Sequence, residues 1–175
     1  MNGVLAETDR LVLCVPSMDG VDALYGLWSD AETMQYIGTG AAWSRKQVVQ
    51  RIERAVKMQA ERGMTFWTVV EKGSGKIIGQ GGLVPIEFNG SEIELGYRLG
   101  KDYWGKGYAT EIARAVAAYG FGELGIDELV AVCFPENVAS RRVLVKVGFV
   151  EVGESELYYG VPTVVYRMGK DGEKS

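Results

Sequence analysis

The chain has 175 residues, with 19 Lys and Arg, 23 Asp and Glu, no His and a formal net charge of -4 at pH 7. This length suits one domain with a substantial core, and we expect residues 1–175 to form a single domain. The lack of histidine excludes Ser-His-Asp triads, Cys-His pairs and HExxH zinc sites, and the acidic balance argues against a broad nucleic-acid interface.

The sequence offers little support for export, membrane insertion or metal binding. Its start lacks a basic stretch followed by an apolar one, and no apolar run approaches the length that crosses a bilayer. Its two cysteines, Cys14 and Cys133, lie in separate strand-like runs without a CxxC motif. We therefore expect a cytoplasmic protein with no membrane partner, no nucleic-acid partner and no metal.

The first half of the chain alternates strand-like and helix-like segments. RLVLCVP predicts a strand, MDGVDALYGLWSD a helix, and SRKQVVQRIERAVKMQAERG a second helix that begins after Ser44 and ends at Gly63. TFWTVVEK and KIIGQGGLVPIEF predict two strands, and the GSG between them fits a hairpin turn but not the spacing of a phosphate-binding loop. SEIELGYRL predicts a third strand, in which Glu92 and Glu94 share one face.

The second half contains two helices and three more strands. ATEIARAVAAYGFGEL predicts a long amphipathic helix, DELVAVCF a strand, and NVASRRVLVKVG a short helix that ends at Gly148. FVEVGE and TVVYRM predict a closing strand pair, and residues 169–175 a frayed tail. The order is that of a mixed α/β domain.

The stretch DYWGKGYATE, residues 102–111, lies between a predicted strand and the long helix. Backbone N–H groups from Gly105 to Thr110 could converge on an anion at the positive end of that helix, and Gly105 and Gly107 would allow a close approach. The glycines could equally serve only to turn the chain. Composition alone does not separate these two interpretations.

Two longer segments, SEIELGYRLGKDYWGKGYATEIARAVAAYGF and PENVASRRVLVKVGFVEVG, resemble the GNAT superfamily of acyl-CoA-dependent N-acetyltransferases. The likeness is specifically to its branch of ribosomal-protein N-acetyltransferases and their relatives, and ETDRLVLCVPSMDGVDALYGLWSDAETMQYIG extends it to the N-terminus. The resemblance implies the GNAT fold of the α+β class, with a mixed, mostly antiparallel sheet of about six or seven strands and about four helices. Splayed strands of that sheet would form the acyl-CoA cleft. The chain departs from the superfamily pattern at Trp104, where Gln or Arg is usual.

The resemblance also assigns roles to individual residues. Backbone amides of the glycine stretch would hold the CoA pyrophosphate, Thr110 would add a hydroxyl, and Arg98 or Lys106 would add positive charge. The amides meant are those of Gly105, Lys106, Gly107, Tyr108 and Ala109. N–H groups near Leu95, Gly96 and Tyr97 would polarise the thioester carbonyl.

Three side chains receive roles nearer to the reaction, each beside a structural alternative. Asn137 would fix the pantetheine arm and Ser140 would protonate the departing thiolate, although the two residues also suit a helix cap. Glu94, just ahead of a bulge that the family has in this strand, would position the acceptor or remove its proton. Its alternative, which we favour for Glu92, is a solvated carboxylate on a strand face.

The expected activity is transfer of an acetyl group from acetyl-CoA to a primary amine by direct attack in a ternary complex. The acceptor would be a protein N-terminal α-amine. The alternatives are a small polyamine or aminoglycoside-like amine as acceptor, or a non-catalytic acyl-CoA-binding sensor. The expected partners are acetyl-CoA and the amine, and the protein would be a monomer or a homodimer.

Overall fold

The computed structural model describes residues 3–88 and 90–170. The described residues form one mixed sheet of eight strands in the order β1-β2-β3-β4-β5-β6-β8-β7. The strands are β1 Val4–Glu7, β2 Leu11–Cys14, β3 Phe66–Glu71, β4 Ile77–Pro85, β5 Ile93–Leu99, β6 Glu128–Cys133, β7 Val150–Ser155 and β8 Thr163–Gly169. Neighbouring strands are antiparallel except β5 and β6, which are parallel. The predicted GNAT architecture is confirmed, with more strands than expected.

Five α-helices are described: α1 Val21–Trp28, α2 Ala31–Met34, α3 Arg45–Arg62, α4 Tyr108–Gly122 and α5 Val138–Val147. The ends of α3 follow from its sequence. The Ser44 side chain accepts from the backbone N–H of Gln47, and the Gln47 side chain accepts from the backbone N–H of Ser44. Gly63 ends the helix at φ 70°. The short strand β1 and the single-turn helix α2 were not predicted, because neither segment is long enough to show a periodic pattern.

The helices cover the two faces of the sheet separately. Ile112 and Val116 of α4 are fully buried in the main core together with Leu95 of β5. On the opposite face, Trp28 of α1 packs with α2, α3 and Trp43 in a second core. Because side chains alternate along a strand, Leu95, Tyr97 and Leu99 face α4, whereas Glu94, Gly96 and Arg98 face α1 and α3.

Strands β5 and β6 pair at a single position, Glu94 with Val130, and then diverge. This splay forms the cleft that the resemblance implied. The pairing of β4 with β5 runs without a shift from Gly79–Leu99 to Pro85–Ile93, so the bulge expected after Glu94 is absent from this ladder.

The last strand, the helix lengths and the two cysteines bear on the remaining predictions. Gly169, placed in the predicted frayed tail, ends β8, while residues 171–175 lie outside the described residues. Within 3–88 and 90–170, no helix is both long enough and apolar enough to cross a membrane. Cys14 and Cys133 are buried free thiols.

Candidate active site

The glycine stretch forms the turn that starts α4. Gly105 and Gly107 have φ values of 70° and 80°, which favour glycine over any residue with a side chain. The first helical hydrogen bond here is donated by Glu111 to the Gly107 carbonyl. The six preceding backbone N–H groups, from Gly105 to Thr110, have no acceptor in the described part of the chain. The turn therefore presents unpaired donors at the positive end of a fifteen-residue helix, an arrangement suited to an anion.

A residue from the start of the chain holds this turn in place. The Arg10 guanidinium donates to the Lys106 carbonyl over 2.9 Å and to the Glu111 carboxylate over 2.7 Å, and it stacks on the Tyr108 ring at 4.4 Å. The hydroxyl of Thr8 also donates to Glu111. Sequence analysis missed Arg10 because about a hundred residues separate it from the turn.

The turn opens onto a cleft of about 910 Å³ between β5, the start of α4 and α5. Nine of the thirteen predicted site residues line it: Tyr97, Arg98, Gly105, Gly107, Tyr108, Ala109, Thr110, Asn137 and Ser140. The other four do not. Leu95 and Glu94 are buried, Gly96 lies against the Phe66 ring on the other face of β5, and the Lys106 ammonium sits 5.5 Å above the Tyr103 ring.

The start of α5 places two hydroxyl groups together in this cleft. The Asn137 side chain accepts from the backbone N–H of Ser140 over 3.1 Å, which confirms the predicted helix cap. The Ser140 Oγ lies 2.9 Å from the Tyr97 hydroxyl. Burial raises the pKa of Tyr97, so its phenol stays protonated and able to donate. Sequence analysis gives a role to the backbone N–H of Tyr97 but not to its hydroxyl, because an aromatic residue in a strand is more often part of a core.

Arg98 borders the cleft, but its guanidinium lies on the opposite face of β5. It donates to the Gln80 side chain over 3.0 and 2.5 Å and lies among the rings of Trp28, Trp43 and Phe66. Its charge is thus directed away from the glycine turn.

Glu94 lies where β5 and β6 still pair, and its side chain is buried, with 9% of the residue exposed. Desolvation raises its pKa to about 7, against a smaller opposing effect of the Tyr159 hydroxyl, which donates to the carboxylate. Tyr159 is held by Glu87: its N–H donates to the Glu87 carboxylate over 2.7 Å, and the Glu87 N–H donates to its hydroxyl over 3.2 Å. Glu87 and Tyr159 have positive φ values of 53° and 58°, respectively. Sequence analysis did not anticipate this cover over Glu94.

Glu92 does not share a strand face with Glu94, because β5 begins at Ile93. Its carboxylate pairs with Arg167 and accepts from the Tyr158 hydroxyl over 2.9 Å. Glu92 is therefore a partly buried member of an ion-pair network, and the solvated carboxylate that we favoured for it is wrong.

Splayed strands beside a helix that begins with unpaired amides define a class of cofactor-binding α+β enzymes. Residues 10–150 match the family described as "Acetyltransferase (GNAT) domain". The chain belongs to the GNAT family of acetyltransferases.

Individual relatives agree with this assignment. YoaA of Bacillus subtilis (strain 168), described as an uncharacterised N-acetyltransferase, is 30% identical over 174 residues, covering 97% of this chain and 98% of its own. A GNAT-family acetyltransferase structure from Bacillus anthracis superposes with a TM-score of 0.81 at 23% identity, covering 95% of this chain and 98% of that one. RimL, a ribosomal L7/L12 α-N-protein acetyltransferase in complex with coenzyme A, has a TM-score of 0.81 at 18% identity, covering 97% of this chain and 99% of its own.

Proposed function

We propose that the protein transfers an acetyl group from acetyl-CoA to an α-amine, by direct attack within a ternary complex. The family uses acetyl-CoA as cosubstrate. The observation that carries the proposal is the row of six unpaired N–H groups opening onto the same cleft as the Tyr97–Ser140 hydroxyl pair. The amides supply donors for a pyrophosphate, and the hydroxyls supply a proton for a leaving thiolate.

The residues divide the work of the reaction between two ends of the cleft. At the glycine turn, backbone amides from Gly105 to Ala109 and the Thr110 hydroxyl bind the pyrophosphate, and Asn137 contacts the pantetheine arm. At the reacting end, the amine nitrogen forms a bond to the acetyl carbon as the carbon–sulfur bond breaks. Ser140, backed by Tyr97, donates a proton to the sulfur.

Glu94 accepts the proton that the amine releases, directly or through a water molecule. A group with pKa about 7 is matched to this task near neutral pH. At pH 7, obtaining the neutral form requires about 1 kcal/mol for an α-amine with pKa near 8, but about 4.6 kcal/mol for a lysine-like amine with pKa about 10.4. The pKa of Glu94 therefore favours an α-amine. Because Tyr159 covers the carboxylate, its hydroxyl must move or relay the proton.

Two measurements test the proposal. Acetyl-CoA or CoA, at about 100 times its Kd, should raise the unfolding midpoint by about 5 to 10 °C, while ATP should not. Thiol release should then be faster with peptides bearing a free α-amine than with the same peptides acetylated at the α-amine and carrying lysine, or with polyamines. Faster turnover of polyamines would favour the small-amine alternative, and CoA binding without any turnover would favour a sensor.

A further inference from the structure

A second cavity of about 380 Å³ lies on the other face of the sheet, between α1, α3 and strands β3 to β5. It adjoins the CoA cleft, because Arg98 borders both. Its charged lining is almost entirely basic, with one carboxylate, that of Glu61. The basic side chains are Arg51, Arg54, Lys57, Arg62 and Arg98. This concentration of positive charge stands out in a chain whose net charge is -4.

Among residues 3–88 and 90–170, Arg98 of this cavity is a cation without a counterion. Two of its nitrogens donate to the side-chain amide oxygen of Gln80, and none of its nitrogens forms an ion pair with a carboxylate in residues 3–88 and 90–170. Burial lowers the pKa of Arg98, and the nearby charge of Arg51 lowers it further. A desolvated charge without an oppositely charged partner destabilises the protein, unless a bound ligand provides that partner.

Two further residues with donor groups, Trp28 and Arg51, line the same cavity. The indole N–H of Trp28, a residue only 1% exposed, has no acceptor within the described part of the chain. The Arg51 guanidinium lies 3.8 Å from the centre of the Trp43 ring and, among the described residues, pairs with no carboxylate. Buried donors are rarely left unpaired in folded proteins, so donors from α1, α3 and β5 around one cavity call for an acceptor-rich ligand.

We propose that this cavity binds an anionic group, a carboxylate or a phosphate, carried by the acceptor. This inference rests on the proposed acetyl transfer to an α-amine. Glu94 and Arg98 lie four residues apart on one face of β5, a separation of about 13 Å. An extended peptide covers that distance in about four residues. The acceptor class is therefore a peptide amino terminus with an acidic or phosphorylated residue within about its first four positions.

The kinetic test uses tetrapeptide amides, whose C-terminus adds no carboxylate; they share a free α-amine and differ at one position, with Asp, Asn or phosphoserine at position 3 or 4. Thiol release is measured for the wild type, for Arg51→Gln, and for Lys46→Gln as a control on the same helix outside the cavity. The KM of the best anionic peptide should be at least tenfold below that of its Asn counterpart. Arg51→Gln should raise that KM about tenfold with little change in kcat, and leave the KM of the Asn peptide unchanged. Lys46→Gln should change neither.

A binding test works without turnover. Amino-terminally acetylated versions of the same peptides are titrated into protein saturated with CoA, so that the phosphates of CoA are already bound and do not compete. Binding is followed by tryptophan fluorescence, to which Trp28 and Trp43 in the cavity contribute. Saturable binding of the Asp or phosphoserine peptide, weakened at least tenfold in Arg51→Gln, supports the inference, and the preferred peptide identifies the anion. Equal binding of anionic and Asn peptides, or no binding by any, overturns it. Failure of acetyl-CoA to raise the unfolding midpoint would contradict the proposed function separately.

Discussion

Replacing Glu94 with Gln should change how the stability of the protein depends on pH. The Glu94 carboxyl has a pKa of about 7 in the folded protein, against an ordinary 4.5. Between these values the folded protein keeps a proton that the unfolded chain has lost. The contribution of Glu94 to the free energy of unfolding therefore falls as pH rises from 4.5 to 7 and levels off above. At about 1.4 kcal/mol for each pH unit, the full loss is about 3 kcal/mol.

The measurement is urea unfolding of wild type and Glu94→Gln at several pH values between 4.5 and 8, because the difference between the two proteins cancels the titration of other groups. The stability of the wild type relative to Glu94→Gln should fall by about 3 kcal/mol over this range. Glu123→Gln, which alters an exposed carboxylate, serves as the control. Tyr159→Phe removes the bond that lowers the pKa of Glu94, so the fall should extend to higher pH. A wild-type-minus-Glu94→Gln difference that stays constant within about 0.5 kcal/mol would refute the desolvation argument.

Three other predictions address the cofactor turn, the hydroxyl pair and the core helix α3. Gly105→Asp should weaken CoA binding at least tenfold relative to Gly105→Asn in calorimetry; both tolerate the positive φ and extend into open space, so only the charge differs. Equal Kd values for Gly105→Asp and Gly105→Asn would show that the pyrophosphate does not bind at this turn. Ser140→Ala should lower kcat about 100-fold. It should keep the Asn137 cap, because the Asn137 side chain binds the backbone N–H of Ser140 and not its hydroxyl. Unchanged turnover would show that this hydroxyl has only a structural role. Ser44→Ala should lower the unfolding free energy by about 1 kcal/mol in urea titrations, and no loss would show that the capping box contributes nothing.

Local signals were sufficient where a function depends on neighbours in the chain. The two glycines at positive φ, the helix that follows them and the Asn137 cap are all short-range features, and each was predicted at its observed place. The hairpin at GSG was also correct, because its turn joins two alternating strands directly. The single-turn helix α2 and the four-residue strand β1 were not predicted. Such short elements are stabilised by tertiary packing and are too short to show a periodic sequence pattern.

The chain's sequence by itself determined its family, its mixed fold and the turn that presents unpaired amides, since these follow from residue type and spacing along the backbone. Tertiary structure alone decided which way each side chain of β5 points. It placed Arg98 among aromatic rings away from the turn, joined Tyr97 to Ser140, and buried Glu94 beneath Tyr159. Burial and charge separation arise from residues distant in sequence, so the raised pKa of Glu94 and the desolvated charge of Arg98 exist only once the sheet and its helices have packed.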